Sequence, residues 1–433
     1  MHRLPAARRP LRLALLRPVK CALAFVIFLH AGRAPAKLAD VGPLGLPPEA
    51  KRKRYAPAVR PYQPRKLPDH GLSDTMPAAG KRARGFYLTP TWVKKFGART
   101  TARMLKRAHL NAVVLDLKDD FGHLLYPSRL PQSEGVRYPL IKDPAALVKA
   151  FHDEGIYVIA RIVCFKDSRL PVVRPDLSVR IGQGARRLFS AGAGWIDAYS
   201  AEVRDYVVGI ALEAESFGFD EVQFDYVRFP KGKAGTLGVW LHQDGRDRAS
   251  LIASFLEQAD RALRIPLSVD IYGLTTLVDG DPRRLGQTIE LMAKYADAVS
   301  PMMYANGMNS YFKENRVTER VYDLIHCGLW RARQKAKGIV LRPFLQSYPA
   351  SVSFFGPEFI LKQIDAARRA GSEGFLFWNA SMKNGVALAA IRTLGSKRLD
   401  ELGSAPDLHL QRGNVPTAWC KRSAEIFDGK ESE

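Results

Sequence analysis

The chain has 433 residues, 46% of them hydrophobic and 25% charged, with a formal net charge of +23. That apolar share suits a sizeable core and excludes a chain disordered throughout. The positive charge is uneven: residues 1–36 hold seven Lys or Arg and no acid, and residues 37–83 hold ten against four. No Lys/Arg stripe interleaved with aromatics runs through the periodic region that follows, which argues against nucleic acid as a partner.

Residues 1–36 read as a signal peptide. Basic residues up to Lys20 precede the apolar run Cys21 to Leu29, and Ala34-Pro35-Ala36 offers a small-x-small cleavage site. Nine apolar residues are too few to span a bilayer, where about 20 are needed. The expected destination is the periplasm or the extracellular space. Residues 37–83 are rich in proline and basic residues, include Lys51-Arg52-Lys53-Arg54 and lack apolar periodicity. They read as a tether, able to touch anionic envelope components at its surface. Cleavage would leave Cys164, Cys327 and Cys420; Cys164 fits a core strand, and Cys327 with Cys420 is the expected pair.

From Arg84 the pattern alternates between strand and helix eight times. Strand one is GFYLTP from Gly85, followed by a helix from Ala98 to His109. Strand two, AVVLDLKD from Ala112, puts Val113, Leu115 and Leu117 on one face and Asp116 and Lys118 on the other. A helix from Asp143 to Glu154 leads to strand three, YVIARIVCFKD from Tyr157, with Arg161 inside an apolar run. Residues 168–200 interrupt the alternation as a long loop. A helix from Asp197 to Phe217 then precedes FDEVQFDYVRFP, residues 219–230, where Val222, Phe224 and Tyr226 alternate with Glu221, Gln223 and Asp225. Strand five, PLSVDIYG from Pro266, repeats that parity with Ser268, Asp270 and Tyr272. Strands six to eight are ADAVSPMMY from Ala296, RPFLQSY from Arg342 and GFLFWNA from Gly374, with helices over 283–295, 317–335 and 357–370 between them. Eight such steps over residues 84–395 predict a (β/α)8 TIM barrel. A doubly wound sheet would carry a Gly-rich phosphate turn, and none is present. Residues 396–433 form a C-terminal extension.

In a (β/α)8 barrel the side chains at strand C-termini converge on one cavity. The convergent set is Asp116, Lys118, Arg161, Gln223, Asp225, Arg228, Asp270, Tyr272, Tyr304, Gln346 and Trp378. The nine histidines avoid the strand ends, so no His-ligated metal is expected, no Ser-His-acid triad can be assembled, and no cofactor is called for. Two carboxylates among aromatic rings fit acetal hydrolysis, which needs one protonated acid at the leaving oxygen and one ionised carboxylate at the anomeric carbon. Asp225 and Asp270, on adjacent strands, are the candidate pair, with the remaining nine residues as candidate substrate contacts. Asp116, Lys118 and Arg161 fit equally well as a buried ion-pair lattice that fills the barrel, and Tyr304 and Trp378 fit as core aromatics. The set is also compatible with a barrel that binds glycan without cleaving it.

The motifs RGFYLTP at Arg84, VVLDLKDDFG at Val113, YVIARIVCFKD at Tyr157, GFDEVQFDYVRFP at Gly218, LSVDIYGLTT at Leu267, DAVSPMMY at Asp297, RPFLQSYP at Arg342 and GFLFWNA at Gly374 stand in order. Through them the chain resembles a bacterial glycoside-hydrolase-like (β/α)8 barrel family of uncharacterised function. The resemblance implies the barrel fold and action on an envelope or extracellular polysaccharide, with Asp225 as nucleophile and Asp270 as acid/base. Two mouth positions depart from the family pattern. Ala305-Asn306-Gly307 stands where Pro-Ser-His is common, and Ser347 where an aspartate is common, so substrate preference is expected to differ.

Overall fold

Runs of β-branched and aromatic residues bounded by polar turns pair side by side in this chain because each is apolar on the face that meets a helix. The computed structural model describes residues 76–182, 186–190, 193–277, 282–308, 320–350 and 352–401. The expected signal peptide and most of the expected linker lie outside the described residues, as does Cys420. Eight parallel strands form the sheet: β1 (Arg84–Leu88), β2 (Ala112–Lys118), β3 (Tyr157–Val163), β4 (Glu221–Asp225), β5 (Leu267–Tyr272), β6 (Ala298–Met303), β7 (Val340–Leu341 and Phe344–Gln346) and β8 (Phe375–Trp378). Each pairs with the next, β8 pairs with β1, and the sheet closes into a (β/α)8 TIM barrel. Strand β7 is split at Arg342-Pro343, where proline has no N–H to give to the ladder.

The outer helices are α1 (Ala98–Arg107), α2 (Pro144–His152), α3 (Ala201–Ser216), α4 (Arg248–Ala262), α5 (Ile289–Tyr295), α6 (Val321–Lys335), α7 (Pro357–Arg369) and α8 (Gly385–Glu401). Most start within a few residues of the sequence expectation, and four of the eight start at side chains that cap orphan N–H groups: Asp143 accepts from Ala146 N–H, Ser200 from Val203, Asp247 from Ser250 and Thr288 from Leu291. Helix α1 differs. Its N-cap is Gly97, and the Thr101 hydroxyl bonds back to the Gly97 carbonyl. Helix α8 kinks at Gly395, whose φ of 69° lies in the left-handed region.

One hydrophobic cluster fills the space between strands and helices. Inside the barrel, polar layers replace it. At the N-terminal end Glu221 is bound in a fully buried pair by Arg342 and accepts from Tyr157 Oη at 3.1 Å and Ser268 Oγ at 2.5 Å. One layer up, Gln223 Nε2 donates to Ser300 Oγ at 3.2 Å. These paired layers make the barrel a packed core with one working end. Cys164 carries a free, buried thiol, and Cys327 on α6 is disulfide-bonded. Among the described residues no helix is long and apolar enough to cross a membrane.

Candidate active site

Arg161 organises the C-terminal mouth. It rises from the middle of β3, 1% exposed, and its guanidinium reaches three carboxylates. Nε and Nη2 donate to Asp225 Oδ2 at 3.0 and 2.5 Å, Nη1 to Asp116 Oδ1 at 2.7 Å, and Nη2 to Asp120 Oδ2 at 3.1 Å. A planar fork of five donors can serve three acceptors at once where a lysine cannot. The fork lies against Trp378 and Tyr87, 5.0 and 5.5 Å from their ring centroids, and those two rings stack at 4.0 Å. Tyr87 Oη donates to Asp116 Oδ2 at 2.5 Å. Burial pushes the Asp116 carboxyl up to about 6, against the pull of Arg161.

Asp225 ends β4. Its Oδ1 accepts the backbone N–H of Tyr226 at 2.6 Å, so both of its oxygens have donors. The chain turns sharply at this point: Tyr226 has a φ of 51°, a left-handed conformation that costs a bulky residue about 1–3 kcal/mol. The sequence alternation therefore stops at Asp225. Tyr226 leaves the strand and stands half-buried at the mouth, where the Arg228 guanidinium lies 4.9 Å from its ring centroid and 5.4 Å from that of Trp195.

Asp270 lies on β5. Gln223 stands opposite Ser268 and Phe224 opposite Val269, and the same register carried on places Asp270 beside Asp225. Asp270 is 1% exposed, and its Oδ1 has no hydrogen-bond partner among the described residues. Burial pushes its carboxyl well above the usual range, and the neighbouring charge of Asp225 adds to the shift. Tyr304, just beyond β6, is held neutral by burial; its hydroxyl also feels the charges of Asp270 and Asp225. Tyr272 closes β5 half-buried, with the Lys231 ammonium 3.8 Å from its ring centroid.

Two expected contacts sit elsewhere. The β2–β3 register shifts between Asp116 and Lys118, and this bulge turns Lys118 out of the barrel, level with Ile162. Its ammonium is fully buried, donating to Val163 O at 2.7 Å and Cys164 O at 3.4 Å and lying 2.9 Å from Asp167 Oδ2. Gln346 spends its amide on the β7 loop, accepting from Asn306 N–H and donating to Tyr348 O and Ala350 O. Gln223 lies a layer below the carboxylates.

Three residues at the mouth escaped the sequence reading. Tyr87 has inward parity on β1 and stands beside Trp378, since Phe86 pairs with Phe377; parity alone would have found it. Asp120 and Lys166 lie on loops beyond strand ends, where no periodicity speaks. Lys166 Nζ donates to Asp120 Oδ1 at 3.4 Å and to Tyr226 Oη at 3.3 Å. Although burial pushes the Asp120 carboxyl up, Arg161 and Lys166 together hold it below the usual range. Among the described residues no cluster of His, Cys, Asp and Glu could hold a metal ion.

Residues 85–384 match a family described as "Putative glycosyl hydrolase domain". The chain belongs to that family. A solved structure of a hypothetical protein from Ruminiclostridium thermocellum ATCC 27405 is 33% identical, covering 43% of this chain and 96% of that one, with a TM-score of 0.39. The glycoside hydrolase domain of PgaB (BpsB) from Bordetella bronchiseptica is 14% identical over 72% of this chain and 98% of its own, with a TM-score of 0.51. A β-galactosidase from the psychrophilic Marinomonas ef1 is 13% identical over 75% and 62%, with a TM-score of 0.53. The last two share the fold. No curated protein matches the chain. Family membership, with glycoside hydrolases among the fold neighbours, supports a glycosidase-like function.

Proposed function

We propose that the protein hydrolyses glycosidic bonds in an envelope or extracellular polysaccharide through Asp225 and Asp270. The observation that carries this reading is the contrast between the two neighbours. Asp225 has a guanidinium and a backbone N–H on its oxygens, whereas Asp270 is desolvated, lacks a partner for Oδ1 among the described residues and is driven toward its protonated form. A carboxylate held by donors beside a desolvated carboxyl can supply the nucleophile and the acid of acetal cleavage.

In the proposed reaction an Asp225 oxygen attacks the anomeric carbon as the bond to the leaving oxygen breaks, and the Asp270 proton passes to that oxygen. Water, giving its proton to Asp270, then attacks the same carbon and frees Asp225. Adjacent strands lie about 4.8 Å apart, which favours the roughly 5–5.5 Å carboxyl spacing of retaining enzymes. Trp378, Tyr272 and Tyr304 supply ring faces for sugars, and Asp116, Arg161 and Arg228 supply polar contacts. Export is part of the proposal, supported by the leader pattern and by the disulfide at Cys327, a bond that persists in oxidising compartments. Processing at Ala36 in a periplasmic fraction would test it.

One observation favours a second reading, glycan binding without cleavage: Asp270 is only 1% exposed, and an acid must reach its leaving group. Aryl glycosides separate the two. If Asp270 is the acid, Asp270→Ala keeps glycosylation of substrates with good leaving groups, stalls at deglycosylation and is rescued by azide. Wild-type protein inert toward every aryl glycoside and polysaccharide offered would leave the binding reading.

A further inference from the structure

The exposed apolar surface of the barrel is one-sided. Among the described residues, every large hydrophobic side chain left exposed lies on a connection leaving the C-terminal end of a strand: Phe96 after β1, Phe121 and Tyr138 after β2, Phe189 after β3, Phe354 after β7, and the aliphatic side chains from Val172 to Leu241 after β3 and β4. Among the described residues, the outer helices α1–α8 and the connections at the opposite end contribute none. Exposed apolar side chains scattered by chance would not avoid the larger part of the surface, so this face is built to meet something.

Within it, one group forms a continuous row tied to the carboxylates. Phe121 and Tyr138 are each 56% exposed, and the His123 ring stands between them, 6.3 and 5.4 Å from their ring centroids. Hydrogen bonds fix the backbone of the row and its central ring. Asp119 Oδ1 accepts the N–H of Phe121 and of His123, both at 2.9 Å, and Ser168 N–H bonds to Phe121 O at 2.9 Å. Tyr138 N–H bonds to Leu124 O at 2.7 Å. Gly122 turns the chain at a φ of 93°, so close to the next loop that a Cβ would fall 2.0 Å from Asp167 Oδ1. His123 has both ring nitrogens engaged, by Asp119 at 2.9 Å and Arg169 at 2.8 Å. A fixed backbone beneath the rings lowers the ordering cost of a ligand surface. The row also begins next to chemistry, because Phe121 follows Asp120, whose carboxylate shares Arg161 Nη2 with Asp225.

We infer that Phe121, His123 and Tyr138 form a subsite leading away from the carboxylates that stacks sugar rings of an extended glycan chain bound across Asp225, so that the protein acts on polymers and cuts within them. This rests on the glycosidase reading for the cut, and on the aromatic row alone for the chain. Glycan is the favoured occupant because the row is continuous with the carboxylate site and consists of flat rings, not an aliphatic knob.

The test compares the full-length Asp225→Asn protein with the same protein carrying Phe121→Ala and Tyr138→Ala. Both are titrated with dimers and hexamers of α-1,4-linked glucose, β-1,4-linked N-acetylglucosamine and β-1,6-linked glucosamine, and with phosphatidylglycerol vesicles. Both side chains are exposed, so the unfolding midpoint should not move. The expected result is a hexamer bound at least tenfold more tightly than its dimer, with that advantage lost in the double variant. Equal binding of hexamer and dimer, no effect of the two substitutions, or ring-dependent binding to vesicles alone overturns the subsite. The glycosidase reading fails separately: ring-dependent hexamer binding by a wild-type protein that cleaves none of these glycans would sink the cut and keep the chain.

Discussion

Arg161 places two nitrogens on a single oxygen of Asp225, at 3.0 and 2.5 Å, and leaves the other oxygen to the Tyr226 N–H. The carboxylate plane is thereby fixed between a side chain of β3 and the left-handed turn that ends β4. In the proposed role of nucleophile, a carboxylate held this way keeps its orientation as a sugar arrives.

The same guanidinium serves Asp116 and Asp120, so its removal leaves three carboxylates with less than their charge complement inside the barrel mouth. Arg161→Met is expected to cost about 3–5 kcal/mol of stability, the range for breaking a buried ion pair. Arg161→Lys should recover only part of it, since one ammonium cannot span the three acceptors. Urea unfolding reads both variants, and a loss below about 1 kcal/mol for Arg161→Met, the scale of an exposed pair, contradicts this account.

Lys118 is predicted to matter for folding and not for turnover. Its ammonium is fully buried and paired with Asp167 on the far side of the β2 bulge. Lys118→Met should lower stability by about 3–5 kcal/mol while the folded fraction keeps its kcat and KM. A changed KM at full folding would place the side chain back in the mouth.

The pH dependence of stability has a sign. Burial moves the Asp116 carboxyl from its ordinary 3.8 to about 6, so the folded protein binds that proton more tightly than the unfolded chain. The resulting stabilisation is complete below pH 3.8 and is lost as pH rises through about 6. Asp270 acts in the same direction. Asp116→Asn carries no proton there, so its stability should fall less than that of wild type between pH 4 and 6. Parallel profiles would remove Asp116 as a source of the dependence.

Turnover should have an alkaline limb set by Asp270. The proton needed at the leaving oxygen is present below the raised folded pKa of Asp270 and lost above it, so kcat/KM falls as pH rises through that value. Measured on polysaccharide, whose leaving oxygen needs the proton, the limb should be present in wild type and absent from the residual activity of Asp270→Asn. Persistence of an unchanged limb in that variant would assign the acid to another group.

The barrel was legible because strand parity repeats: apolar residues alternate with Asp116, with Gln223 and Asp225, and with Ser268 and Asp270, and each set falls inside the barrel. Parity also has limits set by local geometry. A bulge moved Lys118 to the other face, a positive φ ended the alternation before Tyr226, and Pro343 divided β7. Asp120 and Lys166 sit on loops whose positions depend on long-range contacts such as Ser168 with Phe121, and no local pattern encodes those. The departures at Ala305 and Ser347 now have places: Ala305 is buried beside Tyr304, and Ser347 Oγ donates to Asn384 Oδ1 at 2.8 Å.

The most direct test is the release of reducing ends from envelope polysaccharides by wild-type protein and by Asp225→Asn, with circular dichroism confirming that both are folded. The account predicts that wild type releases them and that Asp225→Asn loses about a thousandfold or more of kcat while still binding the polymer. Undiminished turnover by a folded Asp225→Asn protein would contradict it.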